Sequence, residues 1–233
     1  VEMHAIQTSG NCVRNITSDE FAGVAADEVL DPRPLAEILR QWSTFHPEFA
    51  FLPRKFKIAV NGAEEDRAAT AFHDIGLYLS RGPDGEVAMR VLVGGGMGRT
   101  PVVGPVIREF LPWQHMNTYV EAILRVYNRY GRRDNLYKAR IKILVKALGA
   151  AAFARQVEEE WALTRDGPDT LTEQELARVS AYFAPPDYAA RPADDAEFNR
   201  HVSENAGFSR WVGRAVNAHR IPGYRAVVLS LKK

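Results

Sequence analysis

Cysteine is nearly absent from the sequence, which has one thiol, Cys12, among 233 residues. One cysteine cannot form an internal disulfide, a four-thiolate zinc site or a complete cysteine-ligated iron–sulfur cluster, so any such centre needs ligands from elsewhere. No general base can be paired with Cys12 from the sequence, and we expect a small packing or loop residue rather than a nucleophile. The lack of disulfides favours a reducing, cytoplasmic setting.

Long apolar runs and an excess of one charge are also missing. No stretch of about eighteen apolar residues occurs, and the chain does not start with the basic-then-apolar pattern of a secretory signal, so neither a membrane span nor secretion is expected. The 30 Lys and Arg residues nearly balance the 29 Asp and Glu residues, which leaves a net charge of +1. This balance disfavours an extended surface for nucleic acid or anionic membrane, although local basic patches remain open.

Known catalytic and metal-binding signatures are absent too. The 6 histidines show no metal-ligand spacing, and neither a His-Glu-x-x-His helix nor a nucleophile elbow occurs. We therefore predict no metal ligand in this chain. For His73 and Asp74, a turn residue followed by a capping carboxylate is the expected interpretation, with a ligand-facing pair as the alternative.

Apolar periodicity divides the chain into a strand-rich first part and a helical second part. The Asp-Gly end of the turn at 82–85 predicts a hairpin between two β-rich runs. Residues 165–205, rich in Pro, Asp and Ala, are expected to form a partly ordered connection with one helix at 172–183. After a short polar opening, the other predicted elements are a helix at 35–46, strands at 52–60, 75–80 and 87–93, helical structure from about 103 to 131, helices at 137–148 and 151–163, and a strand at 224–231.

Basic residues gather in two places. Arg54, Lys55 and Lys57 fall within four residues of a predicted strand, where the two lysines share one face and Arg54 points to the other. Two close ammonium groups repel, which is costly in a cleft unless an anion lies between them. The segment 129–146 has 7 basic residues against the single acid Asp134 and suits a polyanion. A sheet edge protected from aggregation and a solvated helix face are the respective alternatives.

Three consecutive glycines, Gly94, Gly95 and Gly96, follow a predicted strand. A backbone without side chains allows a flat or bulky ligand to approach the main chain closely, and an ordinary glycine-rich turn is the alternative. A dinucleotide fingerprint is disfavoured because Arg99 occupies the position where its sixth residue must be Gly.

Five motifs occur in a characteristic order along the chain. They are Gly-Asn-Cys-Val-Arg-Asn at 10–15, Leu-Pro-Arg-Lys-Phe-Lys at 52–57, His-Asp-Ile at 73–75, Leu-Val-Gly-Gly-Gly at 92–96 and the basic segment at 132–142. In this order they resemble the sirohaem-dependent sulfite and nitrite reductases, and most closely the haemoprotein subunits of the bacterial assimilatory enzymes. The resemblance spans residues 1–163 and 208–233.

This resemblance implies a fold, a reaction and a set of partners. The implied fold is α+β, a mixed or antiparallel sheet with helices packed on it, followed by the first strand of a ferredoxin-like half. The implied enzyme reduces sulfite to sulfide, or nitrite to ammonia, with six electrons, using sirohaem and a 4Fe–4S cluster whose ligands are absent from this chain. The expected partners are the small oxyanion and an electron donor, either a flavoprotein or ferredoxin, with no nucleic acid and no membrane.

The resemblance also assigns roles to residues at matching motif positions. The cations on the substrate side are Arg14, Lys55 and Lys57. Arg54 is an expected partner of a sirohaem carboxylate, and Gly94, Gly95 and Gly96 are expected to lie against the macrocycle. Further expected carboxylate contacts are Arg133, Arg140 and Lys142.

The chain is expected to be the central piece of a longer polypeptide, because it starts with Val, ends directly after a strand-like run and lacks the family's cysteine motifs. The resemblance divides it into the end of a ferredoxin-like half at 1–16, the sirohaem-binding domain at 17–165, a linker at 166–207 and the start of a second ferredoxin-like half at 208–233. Such a piece alone should not turn over substrate. Two other functions stay open: a corrinoid-biosynthesis enzyme of the same architecture, and a non-catalytic module that binds RNA or another polyanion through 129–146.

Overall fold

The computed structural model describes residues 6–231. Residues 1–5 and 232–233 lie outside the described part, and with them the beginning of the segment expected at 1–16 and the end of the segment expected at 208–233. One five-stranded sheet has the order β1-β2-β3-β4-β5. Its strands are β1 (Val13–Ser18), β2 (Phe56–Asn61), β3 (Ile75–Arg81), β4 (Val87–Val93) and β5 (Val106–Pro112).

The sheet is mixed. β1, β2 and β3 run parallel to one another, whereas β3 and β4, and likewise β4 and β5, are antiparallel. A parallel pair needs a crossover, and α1 (Arg33–Thr44), which has Pro34 in its first turn, provides it between β1 and β2. The turn at 82–85 joins β3 to β4 directly, as its Asp-Gly sequence predicts. The α+β class, with helices packed on a mixed sheet, is therefore confirmed.

Helices cover one face of the sheet. Phe56, Ile58 and Val60 alternate along β2 toward this face, as predicted, and belong to one buried cluster that includes the apolar sides of α1 and α2. The ring of Phe56 lies 5.4 Å from that of Tyr127 in α2. The helices after α1 are α2 (Met116–Tyr130), α3 (Ile141–Leu148), α4 (Ala150–Trp161), α5 (Glu173–Ser180), α6 (Ala196–Glu204) and α7 (Ala206–Ala215).

Connecting chain covers the opposite face of β2 and β3. Ala59 and Asn61 on that face are fully buried. At Gly76 in β3, a Cβ atom would lie 2.3 Å from the carbonyl oxygen of Thr70, so the connection presses directly on the strand. With both faces covered, Lys57 is the one exposed residue of β2.

Several predicted elements differ from the structure. The helical structure expected from about 103 is wrong over Val106–Pro112, which forms the strand β5 because its backbone pairs with β4. The polar opening contains β1. The helix expected at 137–148 starts at Ile141, after a 3₁₀ turn at Leu136–Lys138. The strand expected at 224–231 is paired only over β7 (Arg225–Val227), which forms a ribbon with β6 (Val216–Ala218).

The predicted linker is more regular than its composition indicates. Thr172 caps α5 by accepting the main-chain N–H of Glu175 (3.2 Å), and the predicted helix there is confirmed. The expected domain boundary after residue 16 falls inside β1 and that after residue 165 falls beyond the end of α4, while the division itself stays a prediction. Across residues 6–231, no helix has the length and apolarity that a bilayer crossing requires.

Candidate functional site

One end of the sheet collects most of the predicted site residues. Because β1, β2 and β3 are parallel and β4 is antiparallel to them, the starts of the first three strands lie at the same end as the finish of β4. The chain approaches α3 at this end as well, because Arg140 immediately before the helix contacts the start of β3. We call this region the cationic end of the sheet. Its predicted site residues are Arg14, Arg54, Lys55, Lys57, Gly94, Gly95, Gly96, Arg140 and Lys142.

Asp74 joins three of the stretches that meet at the cationic end. Its carboxylate accepts hydrogen bonds from the main-chain N–H of Lys57 (2.9 Å to Oδ2) and from the Arg140 guanidinium, whose Nη2 lies 2.7 Å from both oxygens. Its carbonyl oxygen accepts the N–H of Gly94 (2.9 Å). The Asp74 side chain is 0% exposed, and this burial raises the pKa of the carboxyl, while Arg140 acts in the opposite direction. Asp74 is therefore a buried ion-pair partner rather than a cap of its own turn.

The cations of the 52–57 motif have no protein partner among the described residues. The side chains of Arg54, Lys55 and Lys57 make no hydrogen bond or ion pair within 6–231. Arg54 and Lys55 are half-buried in the segment that leads into β2, and Lys57 is exposed on the strand. Since Lys55 precedes β2, regular strand alternation relates Lys57 to the residues after it but not to Lys55. Cations without a protein partner attract an anion, and the partial burial of Arg54 and Lys55 strengthens that attraction.

The three glycines are buried, and protein surrounds them. At Gly95, a Cβ atom would lie 2.2 Å from the carbonyl oxygen of Ala71, so no side chain fits. At Gly94, which has φ +83°, it would lie 3.1 Å from the side chain of Val145 in α3. These contacts give the glycines a packing role of their own. Their predicted position against a macrocycle stays a prediction.

Lys142 holds the loop that follows the glycines. Paired main-chain hydrogen bonds between Gly96 and Val102 close a small hairpin, whose tip from 97 to 101 is exposed. The ammonium of Lys142 donates to the carbonyl oxygen of Thr100 (2.6 Å), and its Cδ would lie 3.3 Å from a Cβ at Gly96. Lys142 therefore lies beside the glycine loop and binds protein, and its predicted contact with a sirohaem carboxylate stays a prediction.

Arg14 and Arg133 lie at the margins of the cationic end and also bind main-chain carbonyls. Arg14 donates to Gly10 and Thr8, each at 2.8 Å. Arg133 donates to Phe51 (3.0 Å) and to the side chain of Asn128, and so fixes the chain that leads into the 52–57 motif. Both guanidinium groups are thus engaged by protein within the described residues.

The second basic segment is not a free cationic surface. Arg129 pairs with Glu160 (3.0 Å) and Arg132 with Asp134 (2.5 Å). Because Arg133, Arg140 and Lys142 are also engaged, the basic side chains in 129–146 that make no hydrogen bond or ion pair to the rest of 6–231 are Lys138 and Lys146. This arrangement disfavours binding of a long polyanion.

One grouping of possible metal ligands occurs in the described part of the chain, and it includes none of the residues that define the cationic end. It contains His46, Glu121 and Asp169, with ligand atoms within 4.8 Å of one another. The main-chain N–H of Glu48 donates to His46 Nδ1 (3.3 Å), which leaves the ring proton on Nε2, the nitrogen that faces Glu121 at 3.6 Å. A protonated nitrogen cannot ligate a metal, and Arg125 already binds Glu121 (2.8 Å). The grouping is a charged cluster within the fold.

Residues 9–164 match the family model described as the nitrite and sulphite reductase 4Fe-4S domain. Over 170 residues the chain is 34% identical to sulfite reductase (ferredoxin) 1 of Mycolicibacterium paratuberculosis, an alignment that covers 72% of this chain and 30% of that protein. Over 161 residues it is 32% identical to the ferredoxin–nitrite reductase of Leptolyngbya laminosa, covering 67% of this chain and 31% of the relative. The chain thus spans about 30% of the length of the curated relatives it matches.

Solved structures give the same grouping. The NirA protein of Mycobacterium tuberculosis superposes with a TM-score of 0.61 at 32% identity, over 69% of this chain and 30% of that one. Dissimilatory sulfite reductase I superposes with a TM-score of 0.53 over 82% of this chain and 61% of that one, and at 13% identity it supports the fold alone. With motifs, family match and fold in agreement, this chain belongs to the nitrite and sulphite reductase 4Fe-4S domain family.

Proposed function

We propose that this chain forms the sirohaem- and oxyanion-binding part of a reductase that converts sulfite to sulfide, or nitrite to ammonia, with six electrons. The observation that carries the proposal is the unpaired state of Lys55 and Lys57 at the cationic end, next to a buried glycine loop. Relatives named sulfite reductase and nitrite reductase support the reaction class, and the family does not favour a polyanion-binding module.

The residues at the cationic end fit the chemistry of sirohaem, a macrocycle that carries carboxylates around its rim. The whole guanidinium of Arg54 is available for a carboxylate. Nη1 of Arg140 makes no hydrogen bond to the described residues and can also bind a carboxylate. The loop that follows β4 has no side chains at Gly94, Gly95 and Gly96, which leaves its main chain accessible to a flat ligand where it is not packed. When bound, sirohaem supplies a redox-active iron to which the anion binds.

Lys55 and Lys57 have the properties needed on the substrate side. An ammonium group is charged at neutral pH, so both lysines attract a small oxyanion and balance the charge that builds on a departing oxygen. Each also carries protons that it can donate as that oxygen leaves as water. Because Lys57 is the exposed residue of β2, its ammonium reaches solvent without crossing the core.

The 4Fe–4S cluster does not fit this chain alone. Such a cluster takes four cysteine thiolates, and the sequence has one cysteine, Cys12, whose Sγ donates to the carbonyl oxygen of Ser9 (3.4 Å). We propose that the cluster ligands lie outside these 233 residues.

The electron donor and the cellular setting are parts of the same proposal. Ferredoxin is the favoured donor, because the names of the sulfite and nitrite reductase relatives both include it, and a flavoprotein is the alternative. The near absence of cysteine fits a reducing cytoplasm.

The proposal is tested by Lys55→Met and Lys57→Met in the complete reductase, with Lys146→Met as a matched control. Lys146 is exposed in the last turn of α3 and makes no hydrogen bond or ion pair to residues 6–231. We expect each site variant to lower sulfite and nitrite reduction by about a hundredfold, with sirohaem absorption unchanged and the control close to wild type. A wild-type protein without sirohaem, or site variants with full turnover, would contradict the proposal. Loss of colour together with turnover would make the lysines cofactor or folding residues.

A further inference from the structure

We propose that Asp74 is a positioning residue of the reductase, which sets the place of Lys57 and the orientation of Arg140. The inference rests on the proposed function and adds a residue that the motif positions do not assign. Asp74 touches neither substrate nor cofactor in this role, because its side chain is fully buried. It acts through the groups that it binds.

The contacts of Asp74 converge on three separate stretches of chain. Oδ2 accepts the main-chain N–H of Lys57 at 2.9 Å, which fixes the start of β2 against the start of β3. Oδ1 accepts hydrogen bonds from Nε and Nη2 of Arg140 at 3.1 and 2.7 Å. The Asp74 carbonyl accepts the N–H of Gly94 at 2.9 Å. One residue thus holds the lysine strand, the glycine loop and the chain before α3 together.

The bond to Lys57 governs where its ammonium lies. In a strand, the backbone determines which face a side chain takes and where it stands along that face. Lys57 has no partner for its ammonium within 6–231, so the main chain alone orients it. A small shift of a positioned charge reduces its effect on a developing charge steeply.

The two-point contact with Arg140 fixes the guanidinium plane. A guanidinium bound through Nε and Nη2 has a defined orientation, and Nη1 then points away from the carboxylate. That nitrogen makes no bond to the described residues, which leaves its two N–H donors for a ligand. Without Asp74, Arg140 would lose both its charge balance and its direction.

A double-mutant cycle in the complete reductase tests this role. We compare Asp74→Asn, Lys57→Met and the double variant by kcat/KM for sulfite and nitrite, with sirohaem absorption measured in each. Asn keeps Oδ1 as an acceptor for Arg140, but its amide nitrogen in place of Oδ2 cannot accept the Lys57 N–H, so the variant removes mainly the bond to Lys57. Asp74→Asn should therefore lower kcat/KM by about tenfold in the wild-type background, and by less than about twofold in the Lys57→Met background, because a misplaced lysine and an absent one have the same effect. Losses that multiply in the double variant would show that Asp74 acts independently of Lys57 and would overturn the inference.

Two further variants separate the possible outcomes. Asp134→Asn removes the carboxylate of another arginine pair, Arg132–Asp134, which is exposed and contacts none of the site residues, and it should retain wild-type kcat/KM. If Asp74→Asn does not fold, the same cycle is run with Arg140→Gln, which leaves Asp74 bonded to the Lys57 N–H. This variant should lower kcat/KM while Asp74 still places Lys57. Its losses should therefore multiply with those of Lys57→Met. Losses that do not multiply there would contradict the inference. A wild-type enzyme that reduces neither anion would end the proposed function itself, whereas an active wild type with an additive first cycle ends only the role of Asp74.

Discussion

Replacing Gly95 with alanine is expected to destabilise the fold, because its surroundings leave no room for a methyl group. A Cβ there would lie 2.2 Å from the Ala71 carbonyl oxygen and 2.7 Å from that of His73. Both neighbours are main-chain atoms, which cannot rotate away as the end of a side chain can. Overpacking of this kind costs about 3 kcal/mol, at the upper end of the usual range because backbone must move.

The assay is urea and thermal unfolding of the protein, compared with Gly213→Ala as the matched control. Gly213 lies in α7, has nothing within 4 Å of a Cβ position and has no positive φ, so alanine there should stabilise by up to about 1 kcal/mol through helix propensity. For a domain of this size, a loss of about 3 kcal/mol corresponds to a fall in Tm of roughly 6–12 °C.

The two variants should therefore change stability in opposite directions. A Gly95→Ala protein that unfolds within about 1 kcal/mol of wild type would refute the packing argument. The requirement for glycine would then have to come from a ligand that approaches the loop, and not from the contacts with 71–73.

Two other predictions concern stability away from the cationic end. Tyr119→Phe should cost about 1–2 kcal/mol in urea unfolding, because the buried phenol donates to Glu158 (2.8 Å), whereas Tyr182→Phe at an exposed site should be neutral. Arg67→Met should cost about 3 kcal/mol at pH 7, because it leaves Asp19, whose side chain is 1% exposed, without its ion-pair partner at 2.8 Å. Arg67 also donates a hydrogen bond to Asp27, which holds the pKa of that carboxyl below its ordinary value of 3.8. The stabilisation from the Arg67–Asp27 pair is therefore present above pH 3.8 and is lost as the pH falls through the lowered pKa. Unfolding of the Arg67→Met variant should lack that acid-side loss, and a variant whose stability falls as steeply as that of the wild type below pH 3.8 would contradict the assignment.

Local signals in the sequence predict the elements that form locally. The hairpin of β3 and β4 follows from its Asp-Gly turn, and α2 follows from the apolar stripe that stops at Gly131. β5 lacks such a signal: Glu109 and Phe110 are both exposed, so its residues do not alternate, and pairing with β4 makes it a strand. Edge strands of this kind depend on a partner that the local sequence does not contain.

The candidate site divides in the same way. The motif at 52–57 identifies the unpaired cations, because like charges so close in sequence are themselves a signal. The ion pair of Asp74 and Arg140 joins residues 66 positions apart and carries no local signature. The position of Asp74 directly before a strand is the signal in the sequence that points to this ion pair. The main-chain bonds of Arg133 and Lys142 join residues 82 and 42 positions apart, so no local signal predicts them either.

Those last two bonds have a consequence for how the family can vary. Arg133 and Lys142 donate hydrogen bonds to the main-chain carbonyl oxygens of Phe51 and Thr100. Every amino acid has such a carbonyl oxygen. Side chains at 51 and 100 are exposed, so they can change from one homologue to another while these hydrogen bonds persist. The segments around 51 and 100 are thereby free to diverge in sequence and acquire new surface chemistry, while Arg133 and Lys142 hold their main chains in place.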